Sequence, residues 1–204
     1  MFSKLHYIID ILKAPWLTID MGGSQPARKY YEVCNKTHPT LKLIRNKRYL
    51  VALMAKDQYQ RQDYDIHKAE KRGYYLSQFL PGQYLDDILD IYYSVPVRQG
   101  KFMSAFNRVG WSRVGICMGV FRMGKLVAFA NPLKMGNMTV LSSIMGHSEY
   151  LKDGVMFLLM DGIMRTLTTK WLMYDTFLGN SEGLKYFKMK FGFRAFNVRW
   201  CIHN

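Results

Sequence analysis

The second half of the sequence alternates apolar strands with amphipathic helices, and this alternation constrains the fold more than any other feature. A strand-like run, MTVLSSIMG (138–146), is followed by a long helix at 149–170 and by a second apolar run, WLMYDTF (171–177). Another helix at 181–190 and a last strand at 193–202 complete the pattern. Strands joined through a helix pair in parallel by a crossover connection. The alternation therefore predicts an α/β or α+β protein with a mixed sheet.

The regular pattern already begins at Gly73. YYLSQF (74–79) alternates as a strand does, and YLDDILDIYYSV (84–95) carries its apolar residues at helical spacing. In ICMGVFRMGKLVAFA (116–130), two apolar runs flank a Met-Gly-Lys turn, which predicts a β-hairpin. We therefore predict one domain over residues 73–204.

Residues 1–72 are less regular. Their pattern predicts a helix around 28–34, extended stretches at 41–44 and 49–54, and a loop or surface helix in the polar run at 57–73. We predict that this part of the chain is an N-terminal extension of mixed α/β character.

The strongest compositional signal is charge. The chain has 29 Lys and Arg against 15 Asp and Glu, a formal net charge of +14. A positive field of this size favours polyanionic partners: nucleic acid such as tRNA or DNA, anionic lipid, or a phosphate-rich cofactor. A solvated basic surface that aids solubility explains the charge equally well.

Several classes of protein are disfavoured by the sequence. No apolar run reaches the roughly 18 to 20 residues that cross a bilayer, and the first residues lack the pattern of a secretory signal. Cys34, Cys117 and Cys201 are far apart, which predicts reduced thiols. We therefore expect a cytoplasmic protein. The five histidines are scattered and none pairs with a cysteine at zinc spacing, so no metal site is predicted.

The segment GNSEGLKYFKMKFGFRAF (179–196) contains residues that typically begin and end a helix. Asn180 or Ser181 can cap a helix by accepting a hydrogen bond from a free backbone N–H. Gly192 stands where a left-handed residue would end that helix. The residues that form the apolar stripe of the helix are Leu184, Phe187 and Phe191. On local evidence this is a structural helix.

The arrangement from Gly73 onward resembles the GCN5-related N-acetyltransferase (GNAT) superfamily. Asn180-x-x-Gly183-x-x-Tyr186-Phe187, followed by Phe191-Gly192-Phe193, is similar to that superfamily's motif at its fourth helix. FKMKFG (187–192) also resembles the Phe-Lys-x-x-Phe-Gly element of FemAB-type transferases, which share the fold and take an aminoacyl group from aminoacyl-tRNA. The resemblance implies a GNAT-like mixed central sheet flanked by helices. It also implies transfer of an acetyl or aminoacyl group, from a coenzyme A thioester such as acetyl-CoA or from aminoacyl-tRNA, to an amine acceptor.

The resemblance also implies where a cofactor would lie. The superfamily holds the coenzyme A pyrophosphate on backbone N–H groups and glycines at the start of its long central helix. The matching place here is 151–156, which keeps one glycine, has a lysine beside the first position, and contains Asp153, which would repel phosphate. The cofactor-binding residues that the resemblance implies are Ser142, Ser143, Lys152, Gly154, Asn180 and Phe187.

Acyl transfer to an amine needs a proton acceptor near the carbonyl. His147 and Glu149 end the strand at 138–146, and Asp175 is a carboxylate on an apolar strand that needs a partner or a task. Tyr186 would replace the superfamily's general acid. A surface imidazole, a structural hydrogen bond and a packing tyrosine are the alternative explanations. The residues predicted to bind the acceptor, or simply to form a solvated loop, are Arg98, Gln99 and Lys101.

Two alternatives to the acyltransferase remain open on the sequence. The chain could be a non-catalytic basic module that keeps the fold, or a nucleic-acid-modifying transferase whose positive surface binds its substrate. The acyltransferase hypothesis requires that the strands at 138–146 and 171–177 part and leave a slot for the acyl carbonyl.

Overall fold

The structure is a computed structural model that describes residues 2–36, 47–95, 97–98, 101–102 and 106–203, with the backbone alone at 2–7, 97–98 and 101–102. The helices are Phe2–Lys13 (α1), Gln25–Asn35 (α2), Asp63–Lys71 (α3), Leu85–Tyr93 (α4), Arg108–Ser112 (α5), Val155–Thr166 (α6) and Glu182–Lys190 (α7). The strands are Trp16–Asp20 (β1), Val51–Ala55 (β2), Tyr75–Phe79 (β3), Val97–Arg98 (β4), Lys101–Phe102 (β5), Cys117–Arg122 (β6), Lys125–Met135 (β7), Met138–Gly146 (β8), Trp171–Thr176 (β9) and Arg194–Cys201 (β10).

Eight of these strands form a mixed sheet in the order β1-β10-β2-β9-β8-β7-β6-β3. The pairs β1–β10 and β8–β9 are parallel, whereas β10–β2, β2–β9, β3–β6 and β6–β7 are antiparallel. The chain passes from β8 to β9 through α6, so the predicted strand–helix–strand crossover is confirmed. The prediction of a mixed α/β sheet flanked by helices is confirmed as well.

The chain divides into two compact units. The first comprises Met1–Gln60, Leu133–Val140 and Thr168–Asn204. Its apolar core includes Ile19, Met21, Val51, Leu53, Met173 and Val198. Buried Asn197 donates from Nδ2 to the carbonyls of Ile11 and Ala14 at 2.7 and 3.1 Å, which fixes the end of α1 against β10.

The second unit comprises Arg61–Pro132 and Leu141–Leu167. One cluster of its apolar core is rich in aromatic residues and includes Phe79, Ile88, Ile91, Cys117, Phe121, Leu126 and Phe129. Buried Asp161 on α6 is satisfied by two guanidinium groups, those of Arg61 and Arg165. These two ion pairs have a structural role, because a buried carboxylate without a partner is costly.

The predicted helix at 149–170 is the largest difference between prediction and structure. The structure has a 3-10 turn at Ser148–Asp153, then Gly154, then α6. Gly154 has φ +88°, and a Cβ there would collide with the carbonyl oxygen of Asp65 on α3. The chain therefore breaks at the position where only glycine fits.

The polar run at 57–73 was predicted as a loop or a surface helix, and it contains the helix α3. A smaller difference is that the segment after Pro96, predicted as a loop, contains the short antiparallel pair β4–β5. The stretch at 41–44 lies outside the described residues. The hairpin β6–β7, the helix α4 and the left-handed Gly192 (φ +99°) agree with prediction. The domain boundary after residue 72 stays a prediction.

Among the helices that the structure describes, none is long and apolar enough to cross a membrane.

Candidate functional site

Strands β8 and β9 pair over a short distance only. The pairs in register are Met138–Trp171, Thr139–Leu172 and Val140–Met173. The hydroxyl groups of Thr139 and Thr169, 2.9 Å apart, reinforce this end. β8 continues to Gly146 and β9 to Thr176 without a further register pair among the described residues. The register pairs of these two strands thus all lie within the first unit, and the slot that the acyltransferase hypothesis requires stays a prediction.

In the first unit, the most unusual group is a lysine near the end of β9. Lys188 on α7 has 1% of its surface exposed, although lysine is almost never buried so completely. Its Nζ donates to the backbone carbonyl of Thr176 at 2.8 Å. The Nζ atom also lies 4.6 Å from the ring centre of Tyr174 and 5.4 Å from that of Phe177. Cation–π contacts with these rings replace part of the lost hydration.

The electrostatic surroundings of Lys188 alter its acidity. Burial lowers the pKa of Lys188 to about 8, while the negative charge of Asp175 raises it and the positive charge of Lys47 lowers it. At neutral pH the protonated form therefore still predominates, although a larger fraction of the group is neutral than in a surface lysine. A fixed ammonium with this pKa can stabilise negative charge that develops on a nearby oxygen.

Asp175 differs from the carboxylate that the sequence predicts. Its side chain is 56% exposed, so the premise of a carboxylate buried on an apolar strand is wrong. The residue has φ +54°, which turns its side chain away from the regular strand pattern. Its Oδ1 lies 3.5 Å from Nζ of Lys47, which in turn donates to the hydroxyl of Tyr30 at 3.2 Å.

Tyr30, Tyr174 and Cys34 interact electrostatically with Asp175 and are held in their neutral forms. Burial raises the pKa of Tyr30 and Tyr174 above the ordinary tyrosine value, and the charge of Asp175 adds to both shifts. Burial likewise raises the pKa of the Cys34 thiol to about 12. Cys34 is therefore a poor nucleophile, because the thiolate is the reactive form.

Three further predicted residues lie on or beside α7. Asn180 donates from its side chain to the carbonyl of Thr176, the same acceptor that Lys188 uses. Phe187 packs edge-on against Phe191 with ring centres 4.9 Å apart. Tyr186 is exposed. Ser181 is the N-cap and accepts from the N–H of Leu184, which agrees with one of the two predicted caps.

In the second unit, the segment that resembles a phosphate loop is occupied by internal contacts. Asp153 pairs with Arg72 and accepts from the hydroxyl of Tyr74 at 2.7 Å. The carbonyl of Lys152 accepts from Nζ of Lys68 at 2.6 Å. Gly154 approaches the backbone of α3, as described above, so packing explains this glycine without a phosphate.

The candidate bases of the second unit lie after β8. The Nδ1 of His147 accepts from the N–H of Glu149 at 3.3 Å and caps the 3-10 turn, and its Nε2 lies 3.7 Å from Asp90. Hydrogen bonding to Lys125 is the main reason why the pKa of Asp90 is below its usual value. Glu149 is exposed. These contacts show His147 in a structural role and leave a catalytic role as a prediction.

The remaining predicted residues have few described contacts. Ser142 donates from its hydroxyl to the carbonyl of Asn131 at 3.0 Å, and Ser143 is half-buried. Arg98 lies on β4 and Lys101 on β5, where only the backbone is described. Gln99 lies outside the described residues.

Reasoning from sequence missed Lys188 as a site residue. The signal was present, because Lys188 is the first of the two lysines in the FKMKFG element and matches the lysine of Phe-Lys-x-x-Phe-Gly. Periodicity alone places it beside the apolar stripe without marking it as buried. No group of three or more potential metal ligands occurs among the described residues.

The comparisons with known proteins concern the fold. No family model matches the chain, and no curated protein matches it. Solved structures, in contrast, do match the chain. The C-terminal domain of a candidate lysylphosphatidylglycerol synthetase from Agrobacterium fabrum is 15% identical, with a TM-score of 0.56 over 72% of this chain and 58% of that chain. L-PGS from Bacillus licheniformis is 15% identical, with a TM-score of 0.55 over 72% and 58%.

FemX is the third similar structure, 8% identical, with a TM-score of 0.55 over 72% of this chain and 59% of that chain. The chain thus spans somewhat under three fifths of the length of these three proteins. The likeness shows the fold alone: this chain shares the fold of FemX and of the two synthetase structures. The predicted fold is therefore confirmed.

Proposed function

We propose that this chain is an acyltransferase, and that it moves an aminoacyl group from aminoacyl-tRNA to an amine acceptor. The observation that carries the proposal is the buried ammonium of Lys188 on the carbonyl of Thr176, where β9 ends. In a GNAT-like fold, the acyl donor lies where the two central parallel strands part. The short register of β8 with β9 is consistent with that arrangement.

Lys188 would stabilise the oxyanion of the tetrahedral intermediate. One of its protons is engaged by Thr176, and the aromatic faces of Tyr174 and Phe177 surround the group. Contacts with ring faces are weaker than a hydrogen bond to an oxyanion, so the ammonium gains most when negative charge appears. Selective stabilisation of that state accelerates the reaction.

The donor is proposed from the segment before α6. Coenzyme A would need free backbone N–H groups and room for its pyrophosphate. Here Gly154 is packed on Asp65, and Asp153 puts a carboxylate in the same segment. Aminoacyl-tRNA needs no such loop, and a basic chain suits it. The names of the similar structures, FemX and lysylphosphatidylglycerol synthetase, support the transfer of aminoacyl groups.

The acceptor must lose a proton when it attacks. His147, Glu149, Asp175 and Tyr186 remain the proposed candidates for this proton transfer. Arg98, Gln99 and Lys101 remain proposed acceptor contacts. No covalent enzyme intermediate is needed, because the amine attacks the ester directly and the tRNA hydroxyl leaves with a proton.

The experiment offers two donors side by side. The full chain is incubated with tRNA charged with radiolabelled amino acids, and separately with labelled acetyl-CoA, in the presence of a panel of primary amines. Labelled products are identified by mass spectrometry. We expect transfer from tRNA and a loss of about 100-fold or more in Lys188→Met. Lys190→Met, on the same helix, should retain activity.

Each other result decides between hypotheses. Transfer from acetyl-CoA alone would contradict the proposed donor. Full activity of Lys188→Met would contradict the role of that lysine. If neither donor reacts and the chain still binds tRNA with steep salt dependence, the non-catalytic binding module is the better description.

A further inference from the structure

The first unit contains a pocket that shares Phe177 with the surroundings of Lys188 and otherwise has no role in the proposed chemistry. It has a volume of about 450 Å³, which lies within the range of small-molecule sites. We call it the α7 pocket. Residues from the end of α1, from α7 and from the start of β10 line it. All of them belong to the first unit.

The interior of the α7 pocket is apolar. Leu50 and Phe193 are buried, and the backbone N–H of Phe177 donates to the carbonyl of Leu50 at 2.8 Å, which holds this side together. The apolar side chains that line the pocket are Pro15, Leu50, Phe177, Met189, Phe193 and Ala195. Such a surface releases ordered water when an apolar group enters.

Charged side chains also line the pocket, and most of them are positive. The positive side chains that line the pocket are Lys13, Lys185 and Arg194, and the negative one is Asp10. Lys13, Asp10 and Arg194 are exposed. Lys185 already pairs with Glu182 at 2.8 Å, so Lys13 and Arg194 are the cations best placed to meet an anion.

Apolar surface lies beside the charged part of α1. Ile9 precedes Lys13 by one helical turn and is 41% exposed, and Leu12, next to Lys13, is 79% exposed. Met189, which lines the pocket itself, is 62% exposed. An exposed apolar side chain that lines a pocket, as Met189 does, is typical of a binding site.

We propose that the α7 pocket binds a single-chain amphiphile whose anionic head, a carboxylate or a phosphate, lies on Lys13 and Arg194. The apolar chain enters the pocket and passes along Phe177 and Met189. Neither a simple anion nor a neutral amphiphile satisfies both parts of this surface. The proposal does not depend on acyl transfer, because it is tested by binding alone.

The test is calorimetric titration of the full chain with four probes: dodecanoate, dodecyl phosphate, inorganic phosphate and dodecyl maltoside, each alkyl probe below its micelle concentration. We expect saturable binding of at least one of the two anionic amphiphiles, at one per chain. Inorganic phosphate and the neutral maltoside should bind at least tenfold more weakly. The preferred head group identifies a carboxylate or a phosphate ligand.

Variants locate the site. Met189→Trp fills the pocket from an exposed position, so it is expected to fold and to lower the affinity at least tenfold. Lys13→Glu with Arg194→Glu should lower it by a similar factor and remove most of its salt dependence. The matched controls are Met123→Trp, at an exposed turn, and Lys29→Glu, an exposed cation of the same unit.

Three results overturn the proposal. The first is no saturable binding of either anionic amphiphile. The second is equal affinity for dodecyl maltoside, which would remove the role of the cations. The third is binding to phosphatidylglycerol vesicles that neither Met189→Trp nor excess dodecyl phosphate reduces, since this would show adsorption to a charged surface. Thermal unfolding of each variant confirms that it is folded.

Discussion

The segment before α6 and the segment from β9 through α7 each resemble part of a transferase motif, yet their glycines and lysines have different surroundings. In the first segment, Gly154 packs against Asp65 and Asp153 pairs with Arg72, so each residue is explained by the fold. In the second, Lys188 is buried at a cost, with its ammonium on a backbone carbonyl. Residues that stabilise a fold have satisfied partners, whereas a buried charge without a carboxylate in direct contact indicates a task.

The largest expected effect concerns Gly154. Gly154→Ala should lower the free energy of unfolding by about 3 kcal/mol, because the residue has φ +88° and the new Cβ collides with the Asp65 carbonyl. Chemical denaturation measures this loss. Gly183→Ala is the control, since a Cβ there meets nothing within 4 Å and alanine favours a helix. An unchanged midpoint in Gly154→Ala would mean that packing does not explain this glycine.

Lys188 gives the second effect, of opposite sign. Lys188→Met should raise the free energy of unfolding at pH 7 by about 2 kcal/mol, because the variant no longer buries a charge but loses one hydrogen bond. A gain in stability together with a loss of activity would mark the lysine as functional.

The pH profile checks the cause of that effect. The pKa of Lys188 is about 8 in the folded protein and near the ordinary lysine value when unfolded. Between these values the unfolded chain binds an extra proton at this lysine, so Lys188 by itself makes stability rise with pH, whereas the raised pKa values of Tyr30, Tyr174 and Cys34 make it fall. The stability of the wild type relative to Lys188→Met should therefore rise between about pH 8 and about pH 10, whereas its stability relative to Lys190→Met should stay level. A difference from Lys188→Met that stays constant above about pH 8 would contradict the lowered pKa.

A smaller effect on stability is expected for Asp153, which lies in the segment before α6. Asp153→Asn should lower the free energy of unfolding by about 1 kcal/mol, because it removes the ion pair with Arg72, whose side chain is half exposed. The amide can still accept from the Tyr74 hydroxyl. Glu70→Gln, at an exposed position of α3, is the control. If Asp153→Asn creates coenzyme A binding in calorimetry, this carboxylate alone was excluding the cofactor.

Asp175 gives the smallest change in stability. The Asp175 side chain of its ion pair with Lys47 is exposed and the two charged atoms are 3.5 Å apart, so Asp175→Asn should alter the free energy of unfolding by less than about 1 kcal/mol. The negative charge of Asp175 raises the pKa of Lys188, so its removal should lower that pKa further. The rise in stability that Lys188 contributes should then begin at a lower pH. A large loss of transfer in this variant, with the profile unchanged, would instead support Asp175 as the base.

The sequence predicted the elements better than the contacts of their residues. The crossover from β8 to β9, the β6–β7 hairpin and the glycine that ends α7 follow from spacing within short windows. The break at Gly154 was missed, because it depends on the carbonyl of Asp65, far away in sequence. Asp175 was expected to be buried because its neighbours are apolar, but the left-handed backbone exposes it.

The sequence by itself determined most of the order of strands and helices from Gly73 onward, the basic charge and the FKMKFG element that contains Lys188. Only the tertiary structure decided that this lysine is buried beside Tyr174 and that an apolar pocket lies near α7. The physical reason is the distance along the chain over which each effect acts. Periodicity and capping act over a few residues, whereas burial, and with it a pKa, depends on every segment that packs around a side chain.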